Sequence, residues 1–293
     1  MSHANPVWNW QSSYPAPAKL NLFLHVVGRR VDGYHLLQTV FRLIEPGDSL
    51  RFSPRSDGRV GLTTPLPGVR ADDDLSVRAA RLLQAEAAAL SRRSDLGVDI
   101  SLHKRLPLGG GLGGGSSDAA TVLLALNHLW QLGLRRERLQ EIGLRLGADV
   151  PVFIFGRNAF AQGVGEALHA LDLPERYYLV VQPAVNVSTG AIFAAPELRR
   201  DTPTIGVDEW SAGFGGNDLQ SVACTRFPQI AACLDWLSRF AEARMTGSGA
   251  CVFAEFAERV LAEEICRRVP PDWRAWVAAG LARHPLHALA GDI

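Results

Sequence analysis

The sequence has almost no lysine, few cysteines and no excess of charge of either sign. Lysine plus arginine and aspartate plus glutamate number 30 each, so no overall electrostatic field would attract nucleic acid or an anionic membrane. The four cysteines are scattered, without a Cys-x-x-Cys pair, which argues against a disulfide framework and a zinc site. Any anion-binding site must therefore be local, and neither nucleic acid nor a membrane is expected as a partner.

Long apolar runs are also missing. No run approaches the roughly 18 residues that a membrane-spanning helix needs, and the first 19 residues lack the basic and then apolar order of a signal peptide. Because the cysteines are also expected to be reduced core residues, we predict a cytoplasmic protein. The length of 293 residues allows a chain to bury about three quarters of its unfolded surface, so a substantial core is expected.

The scarcity of lysine draws attention to the two lysines that are present. They are Lys19 and Lys104, and the other 28 basic residues are arginines. Lysine carries a compact point charge that fits close to a phosphate or a carboxylate, whereas arginine presents a broad planar fork. These two lysines could be present for a chemical role or by chance, and the composition alone does not decide between the two explanations.

Alternating apolar and polar residues predict strands in the first half of the chain. In AKLNLFLHVVG the alternation predicts a half-buried strand on which Lys19 and Asn21 share one face. Asp32-Gly33 and Pro46-Gly47 have the composition of tight turns. VDISLHK alternates as a further strand, and the short apolar run VPVFIF is predicted to be a buried strand.

Helical spacing of apolar residues predicts helices between these strands. They are expected in DDDLSVRAARLLQAEAAAL, from about Ser116 onward, and in RERLQEIGLRLG as far as Gly147. The second half mixes strands (RYYLVVQP, MTGSGACVFAEF) with helices, and a Pro/Gly/Ser-rich connection runs from about Arg199 to Gly216. Since there is no strict βαβ period and no repeat, the predicted fold class is α+β in two lobes, covering residues 1–160 and 161–293.

The most distinctive stretch is PLGGGLGGGSSDAATVLLALN, Pro107 to Asn127, which contains six glycines in seven consecutive residues. Glycine lets backbone N–H groups converge on an anion, and the N-terminus of the following helix adds its positive dipole end. Ser116, Ser117 and Asp118 could cap that helix, and a serine hydroxyl also suits a phosphate oxygen or Mg²⁺. A flexible linker is the alternative, but the position between a strand and an apolar helix favours a phosphate loop.

Other nucleotide-binding motifs fit this loop poorly. Gly109, Gly111 and Gly114 satisfy G-x-G-x-x-G, but about twenty residues later GLRRERLQ lacks the strand-end acid of a dinucleotide fold. No lysine follows the loop as in G-x-x-x-x-G-K-[ST], and the H-R-D and D-F-G partners of a protein-kinase loop are absent.

Several motifs in order resemble the GHMP small-molecule kinases, whose loop has the form Pro-x-x-x-Gly-Leu-Gly-Ser-Ser. They are PAPAKLNLFLHVVGRRVDGYHLLQTVF, KRLPLGGGLGGGSSDAATVLLALN, LGADVPVFIFGRNAFAQGVGE, NDL at Asn217 to Leu219, and MTGSGACVFAEF. Within the family the sequence is similar to the branch that uses ATP and Mg²⁺ to phosphorylate the 2-hydroxyl of 4-diphosphocytidyl-2-C-methyl-D-erythritol in the non-mevalonate isoprenoid pathway. The resemblance spans nearly the whole chain and implies a nucleotide-binding lobe, a smaller α/β sandwich lobe and an active site in the cleft between them.

The resemblance also implies a role for each matched residue. Asp149 would be the base that takes the proton from the substrate hydroxyl, with Lys19 beside it. Tyr34 and Phe193 would sandwich the cytosine ring while His35 hydrogen-bonds its edge. The substrate groove would be lined by Asn21 and Thr189. The ATP-binding residues would be Lys104, Pro107, Leu108, Gly109, Gly110, Gly111, Leu112, Gly113, Gly114, Gly115, Ser116, Ser117 and Asp118, and the turn Thr246-Gly247-Ser248-Gly249 would approach their loop. No metal ligand is assigned.

Plainer explanations exist for these residues and for the whole chain. Asp149 could cap a turn, Tyr34 and His35 could be exposed hairpin residues, and Phe193 could belong to the core. Another GHMP kinase, acting on mevalonate, homoserine or a sugar, would share the loop, although a cytosine clamp is useless to those substrates. A non-catalytic nucleotide sensor could share the fold, but it would not need a base.

Overall fold

The computed structural model describes residues 7–66, 68–90 and 95–291. Its strands are β1 Tyr14–Arg29, β2 His35–Arg55, β3 Val60–Leu62, β4 Gly97–His103, β5 Ala159–Gln162, β6 Ala167–Ala170, β7 Tyr177–Gln182, β8 Ala243–Met245, β9 Val252–Phe256 and β10 Arg274–Gly280. Its α-helices are α1 Leu75–Ala89, α2 Gly114–Leu129, α3 Arg136–Leu144, α4 Val150–Phe155, α5 Thr189–Phe193, α6 Gln220–Arg226, α7 Pro228–Leu237 and α8 Arg259–Cys266. In this part of the chain no helix combines the length and the apolar character needed to cross a membrane.

The strands form one mixed sheet in the order β3-β4-β2-β10-β7-β9-β8. Off this path, β1 and β5 both pair with β2, and β6 pairs with β5. Only β3 and β4 run parallel among the pairs of the described strands. Since β10 pairs with both β2 and β7, the strands of the first half are continuous with those of the second half.

Two groups of helices pack against this sheet and form separate cores. Helices α1 to α4 pack with β1, β2 and β4 around residues such as Leu123 and Phe153. Helices α6 and α7 pack with β7 and β9 around residues such as Ile230 and Leu237. A third cluster, which includes Phe160, joins strands of both halves. This architecture confirms the predicted α+β class, and the division at residue 160 stays a prediction.

Strand β1 is confirmed, but its predicted half-burial is wrong. Lys19 and Asn21 do share a face, since their side chains are hydrogen-bonded. Both faces are nevertheless buried: Leu20 is 0 % exposed, Asn21 is 2 % exposed and Phe23 is 1 % exposed. The second half of the chain covers the face that the alternation left to solvent, because Phe23 packs edge-on against Phe214.

Three local predictions are wrong for identifiable reasons. VPVFIF forms helix α4 rather than a strand, with Pro151 in its first turn, where a missing N–H costs nothing. Pro46-Gly47 lies within β2, where the register with β1 shifts between Ala16 and Ala18, and does not turn the chain. Helix α2 begins two residues before Ser116, and its N-cap is Gly113 with no side-chain cap, so neither serine nor Asp118 caps it.

Candidate active site

The predicted site residues converge on one cleft of about 740 Å³. The glycine loop between β4 and α2 lines it, together with the turn between β1 and β2 and residues of the second half. Ser117 and Asp118 do not line the cleft and lie buried in the first turns of α2. The other predicted residues line it: Lys19, Asn21, Tyr34, His35, Lys104, Pro107, Leu108, Gly109, Gly110, Gly111, Leu112, Gly113, Gly114, Gly115, Ser116, Asp149, Thr189 and Phe193.

Lys19 and Asp149 form an ion pair inside this cleft. Lys19 lies on β1 and Asp149 immediately precedes α4, and Nζ lies 3.3 Å from Oδ2. The lysine side chain is 4 % exposed and the aspartate side chain is 35 % exposed, so the carboxylate is the partner that a substrate can reach. Nζ also donates to Oδ1 of Asn21 at 2.6 Å. The ammonium is thus fixed, and a reachable carboxylate stands beside it as a candidate general base.

Asn21 connects this pair to the second half of the protein. Its Nδ2 donates to Oγ1 of Thr39 at 2.9 Å, and its backbone N donates to Oγ1 of Thr246 at 3.0 Å. The amide orientation is defined on both sides, because Oδ1 accepts from Lys19 while Nδ2 donates to Thr39. Asn21 therefore positions the lysine in addition to lining the groove.

The glycine loop approaches the backbone of the second half closely. Gly109, Gly111 and Gly113 have φ values of +66°, +74° and +71°, a region that side chains disfavour. At Gly111 a Cβ atom would lie 2.1 Å from the carbonyl oxygen of Thr246, so glycine is required there. The turn Thr246-Gly247-Ser248-Gly249 does approach the loop, as the sequence suggested.

Both halves of the chain also hold the loop through its carbonyl oxygens. Leu112 accepts a hydrogen bond from the backbone N of Lys19 at 3.0 Å, and Gly110 accepts one from the backbone N of Cys251 at 3.2 Å. Because these carbonyl oxygens are engaged by the protein, an anion in the cleft would meet the N–H groups of the loop and the N-terminus of α2.

Lys104 lies behind the loop between two buried carboxylates. It donates to Oδ2 of Asp118 at 2.7 Å and also to Oδ2 of Asp48. The other oxygen of Asp48 accepts from the backbone N of Arg105 at 2.5 Å and of Leu106 at 2.8 Å. Asp48 thereby fixes both the lysine and the chain that enters the loop. Sequence reasoning missed Asp48, because β2 carries several other charged residues and nothing in its pattern distinguishes this one.

One ammonium shared by two buried carboxylates shifts the ionisation of the cluster. Burial alone would lower the pKa of Lys104, but the charges of Asp118 and Asp48 outweigh it and raise that pKa. Burial raises the pKa of Asp118 to about 7, against the opposing charge of Lys104 and with the help of Asp48. The lysine therefore stays charged, and the excess negative charge is relieved at Asp118.

Another part of the same cleft is bounded by aromatic rings from both halves. Tyr34 ends the turn between β1 and β2, His35 begins β2, and Phe193 ends α5. The rings of His35 and Phe193 lie 4.9 Å apart at an angle of 36°, while the Tyr34 side chain is 62 % exposed. Close by, Oγ1 of Thr189 is hydrogen-bonded to Oγ of Ser248 at 2.8 Å. These rings and the imidazole present stacking faces and a polar edge to a planar ligand.

The ring of His35 has a partner that sequence reasoning missed. Nε of Arg200 donates to Nε2 of His35 at 3.1 Å. Burial lowers the pKa of His35, and the charges of Arg200 and Arg29 lower it further. Arg200 gave no signal in the sequence, because it is one of 28 arginines and lies in an irregular connection.

The described residues contain no group of three or more histidine, cysteine, aspartate or glutamate side chains placed to hold a metal ion. Two buried oxygen atoms near the loop belong to Ser117 and Asp118, which do not line the cleft, so they do not fit a Mg²⁺ ion bound to a nucleotide there. Oγ of Ser117 and Oδ1 of Asp118 are buried next to the loop and have no hydrogen-bond partner among the described residues.

Two protein families match the chain. The family described as GHMP kinases N terminal domain matches residues 74–157, a range that includes the glycine loop and Asp149. The family described as GHMP kinases C terminal matches residues 207–274.

Curated relatives match nearly the full length of the chain. A 4-diphosphocytidyl-2-C-methyl-D-erythritol kinase of Dechloromonas aromatica is 62 % identical over 93 % of this chain and 98 % of its own. A kinase of the same name from Azoarcus sp. (strain BH72) is 59 % identical over 94 % and 96 %.

Crystal structures of kinases are similar to this structure as well. A crystal structure of 4-(cytidine 5'-diphospho)-2C-methyl-D-erythritol kinase is 34 % identical, with a TM-score of 0.78 over 92 % of this chain and 99 % of its own. A mevalonate kinase is 13 % identical with a TM-score of 0.67 over 92 % and 99 %, which is a similarity of fold alone.

Proposed function

The chain belongs to the 4-diphosphocytidyl-2-C-methyl-D-erythritol kinases, a branch of the GHMP kinases, and we propose that Asp149 and Lys19 carry its chemistry. It is a small-molecule kinase of the non-mevalonate isoprenoid pathway and uses ATP as phosphoryl donor. The observation that supports our assignment is the ion pair of 3.3 Å between a buried Lys19 and a reachable Asp149 inside the cleft.

In the proposed reaction Asp149 orients the 2-hydroxyl of the substrate and accepts its proton as the oxygen bonds to the γ-phosphorus of ATP. Phosphoryl transfer depends on positioning and charge stabilisation more than on covalent catalysis. Lys19 is held by Asn21 and contributes a fixed positive charge next to the carboxylate. The proton moves from the substrate hydroxyl to Asp149, and the bond between the γ-phosphorus and its bridging oxygen breaks to release ADP.

ATP is proposed to bind with its phosphates against the glycine loop. The support is the bare backbone of Gly109 to Gly113, which is followed directly by the N-terminus of α2 at Gly114. Lys104 would add a positive charge, since it lies at the base of the loop between Asp48 and Asp118. Leu75 and Leu108 also line the cleft and are apolar surfaces for the remainder of the nucleotide.

Mg²⁺ is proposed as the metal that accompanies ATP. The phosphates of the nucleotide and water would hold it, since no group of ligating side chains among the described residues is placed to bind a metal ion. When bound, Mg²⁺ would neutralise phosphate charge.

The cytidine part of the substrate is proposed to lie between Tyr34 and Phe193, with His35 at the edge of the base. The support is a pocket in which aromatic faces and an imidazole meet. Mevalonate, homoserine and sugars have no base to fill it. The two predicted units, 1–160 and 161–293, and the cytoplasmic location stay predictions.

The experiment that tests this function is a phosphoryl-transfer assay with the full chain, ATP and Mg²⁺. The cytidine substrate is run beside mevalonate, homoserine and galactose at equal concentration, and the product is analysed by phosphorus NMR. We expect turnover only with the cytidine substrate and a new phosphate monoester on its 2-hydroxyl. Turnover of another acceptor at an equal or higher rate would overturn the substrate assignment.

A further inference from the structure

Arg200 holds two walls of the base pocket at once. Its Nε donates to Nε2 of His35 at 3.1 Å, and its Nη2 donates to the carbonyl oxygen of Phe193 at 3.0 Å. Further donations reach the carbonyl oxygens of Ala195 at 2.6 Å and Leu198 at 2.9 Å. His35 begins β2 in the first half and Phe193 ends α5 in the second half. One guanidinium therefore fixes the relative position of residues that come from distant parts of the chain.

The hydrogen bond from Arg200 also determines which nitrogen of His35 carries a proton. A guanidinium has only donors, and it remains charged in proteins. Nε2 of His35 must therefore accept with its lone pair, and the neutral imidazole carries its hydrogen on Nδ1. A ring in this tautomer offers one donor to a ligand. Cytosine has two acceptors on its edge, O2 and N3, whereas uracil has an N–H at position 3.

We propose that Arg200 is a positioning residue for pyrimidine recognition, which holds His35 as the Nδ1–H tautomer and fixes it against Phe193 so that it donates to an acceptor of the cytosine edge. This inference rests on the proposed placement of the cytidine base in the same pocket. It goes beyond that placement by naming the residue that sets the polarity of the pocket.

The electrostatic surroundings of His35 support one protonation state. The charged groups that act on its ring are Arg200 and Arg29, and both oppose a second proton, as burial does. His35 thus stays neutral even when the pH falls slightly below about 6.5, the ordinary pKa of a histidine. The Nδ1–H group is then present in the neutral ring, so the donation to cytosine does not require the imidazolium form.

Removal of Arg200 separates this role from a merely structural one. In Arg200→Gln, neutral His35 is free to carry its hydrogen on Nε2, which leaves Nδ1 without a proton for cytosine. Protonation at low pH restores a hydrogen on both nitrogens, so acid partly rescues the variant. A structural defect would not respond to pH in this way.

The test measures kcat and KM for both substrates in the wild type, Arg200→Gln and Arg199→Gln, at about pH 8 and about pH 6. Arg199 is the matched control, since it is the adjacent arginine and pairs with Asp201 outside the pocket. For Arg200→Gln we expect KM for the cytidine substrate to rise about tenfold at the higher pH, the scale of one lost hydrogen bond between neutral groups, and to recover at least in part at the lower pH. KM for ATP should change less than about twofold in this variant. In the Arg199→Gln control, KM for ATP and KM for the cytidine substrate should both change less than about twofold.

A direct measurement keeps the inference testable if Arg200→Gln does not fold. Nitrogen NMR of the wild type labelled with ¹⁵N-histidine distinguishes the two ring nitrogens, and the His35→Gln variant identifies the signal. We expect a proton on Nδ1 and none on Nε2. A proton on Nε2, or a loss in Arg200→Gln that is the same at both pH values, would overturn the inference. Absence of wild-type turnover with the cytidine substrate would instead contradict the proposed function, which this NMR result does not depend on.

Discussion

The ammonium nitrogen of Lys19 lies 3.3 Å from a carboxylate oxygen of Asp149, although β1 carries the lysine and the start of α4 carries the aspartate. The lysine is buried and the aspartate is partly open to the cleft. A substrate hydroxyl can therefore approach the carboxylate while the ammonium stays behind it. This order of groups is the basis of the proposed mechanism.

Lys19→Met should lower kcat while the protein remains folded. The change keeps the apolar length of the side chain but removes its charge and its hydrogen bond to Asn21. Loss of a charge-assisted contact near the reacting atoms is expected to reduce kcat by roughly 10². Steady-state kinetics together with a thermal melt would check this. A kcat near that of the wild type would show that the ammonium has no part in turnover.

Asp48→Asn should weaken ATP binding and leave the cytidine substrate unaffected. An amide retains an oxygen for the backbone N–H groups of Arg105 and Leu106, but it turns an N–H group toward the ammonium of Lys104, which loses the hydrogen bond that holds it at the loop. We expect KM for ATP to rise about tenfold, because hydrogen bonds to charged groups are strong. Asp57→Asn is the matched control, since Asp57 does not line the cleft and pairs with Arg55 and Arg59 at the surface. Equal effects of the two substitutions on KM for ATP would contradict this role of Asp48.

Tyr34→Ala should raise KM for the cytidine substrate without a change in KM for ATP. The side chain is largely exposed, so its removal does not open a core. Stacking of a base on an aromatic ring is worth enough to change affinity by roughly ten- to a hundredfold. Tyr34→Phe keeps the ring and should behave as the wild type. If both substrates lost affinity equally in Tyr34→Ala, the ring would not be a specific contact for the base.

The free energy of unfolding should decrease as the pH is lowered, because of His284. This residue is 1 % exposed, and its Nδ1 accepts from the backbone N of Leu286 at 3.0 Å. Burial, aided by the charges of His287 and Arg136, lowers its pKa to about 3. An unfolded histidine titrates near 6.5, so between about pH 6.5 and 3 the unfolded state binds more protons and the free energy of unfolding decreases as pH falls.

His284→Asn should remove this contribution. Asparagine offers an oxygen for the Leu286 N–H but does not titrate. Urea unfolding at several pH values should show a slope smaller by at most about 1.4 kcal/mol per pH unit in the variant. Identical slopes in the two proteins would mean that His284 is not the residue responsible.

The elements that sequence patterns predicted correctly are those with a long, regular signal. Helix α1 and strand β4 follow their apolar spacing closely. The run VPVFIF failed because a short segment that is buried on every side has no period to distinguish a helix from a strand. The burial of both faces of β1 could not be predicted either, because it depends on the second half packing against it.

The candidate site was predictable where motifs carry it and hidden where only contacts do. The glycine loop, Lys19 and Asp149 were recognised from residue types in order along the chain. Asp48 and Arg200 act through hydrogen bonds to residues far away in sequence. No local pattern encodes such a partnership, so these two residues needed the folded structure.

The most direct test of the central claim is the turnover of Asp149→Asn at saturating ATP and cytidine substrate. The change keeps the size of the side chain and removes its ability to accept the hydroxyl proton. We expect kcat to fall by roughly 10² to 10⁴, while the affinity for ATP stays within about twofold and the exposed Asp172→Asn control is unaffected. A kcat close to that of the wild type would contradict the assignment of Asp149 as the base.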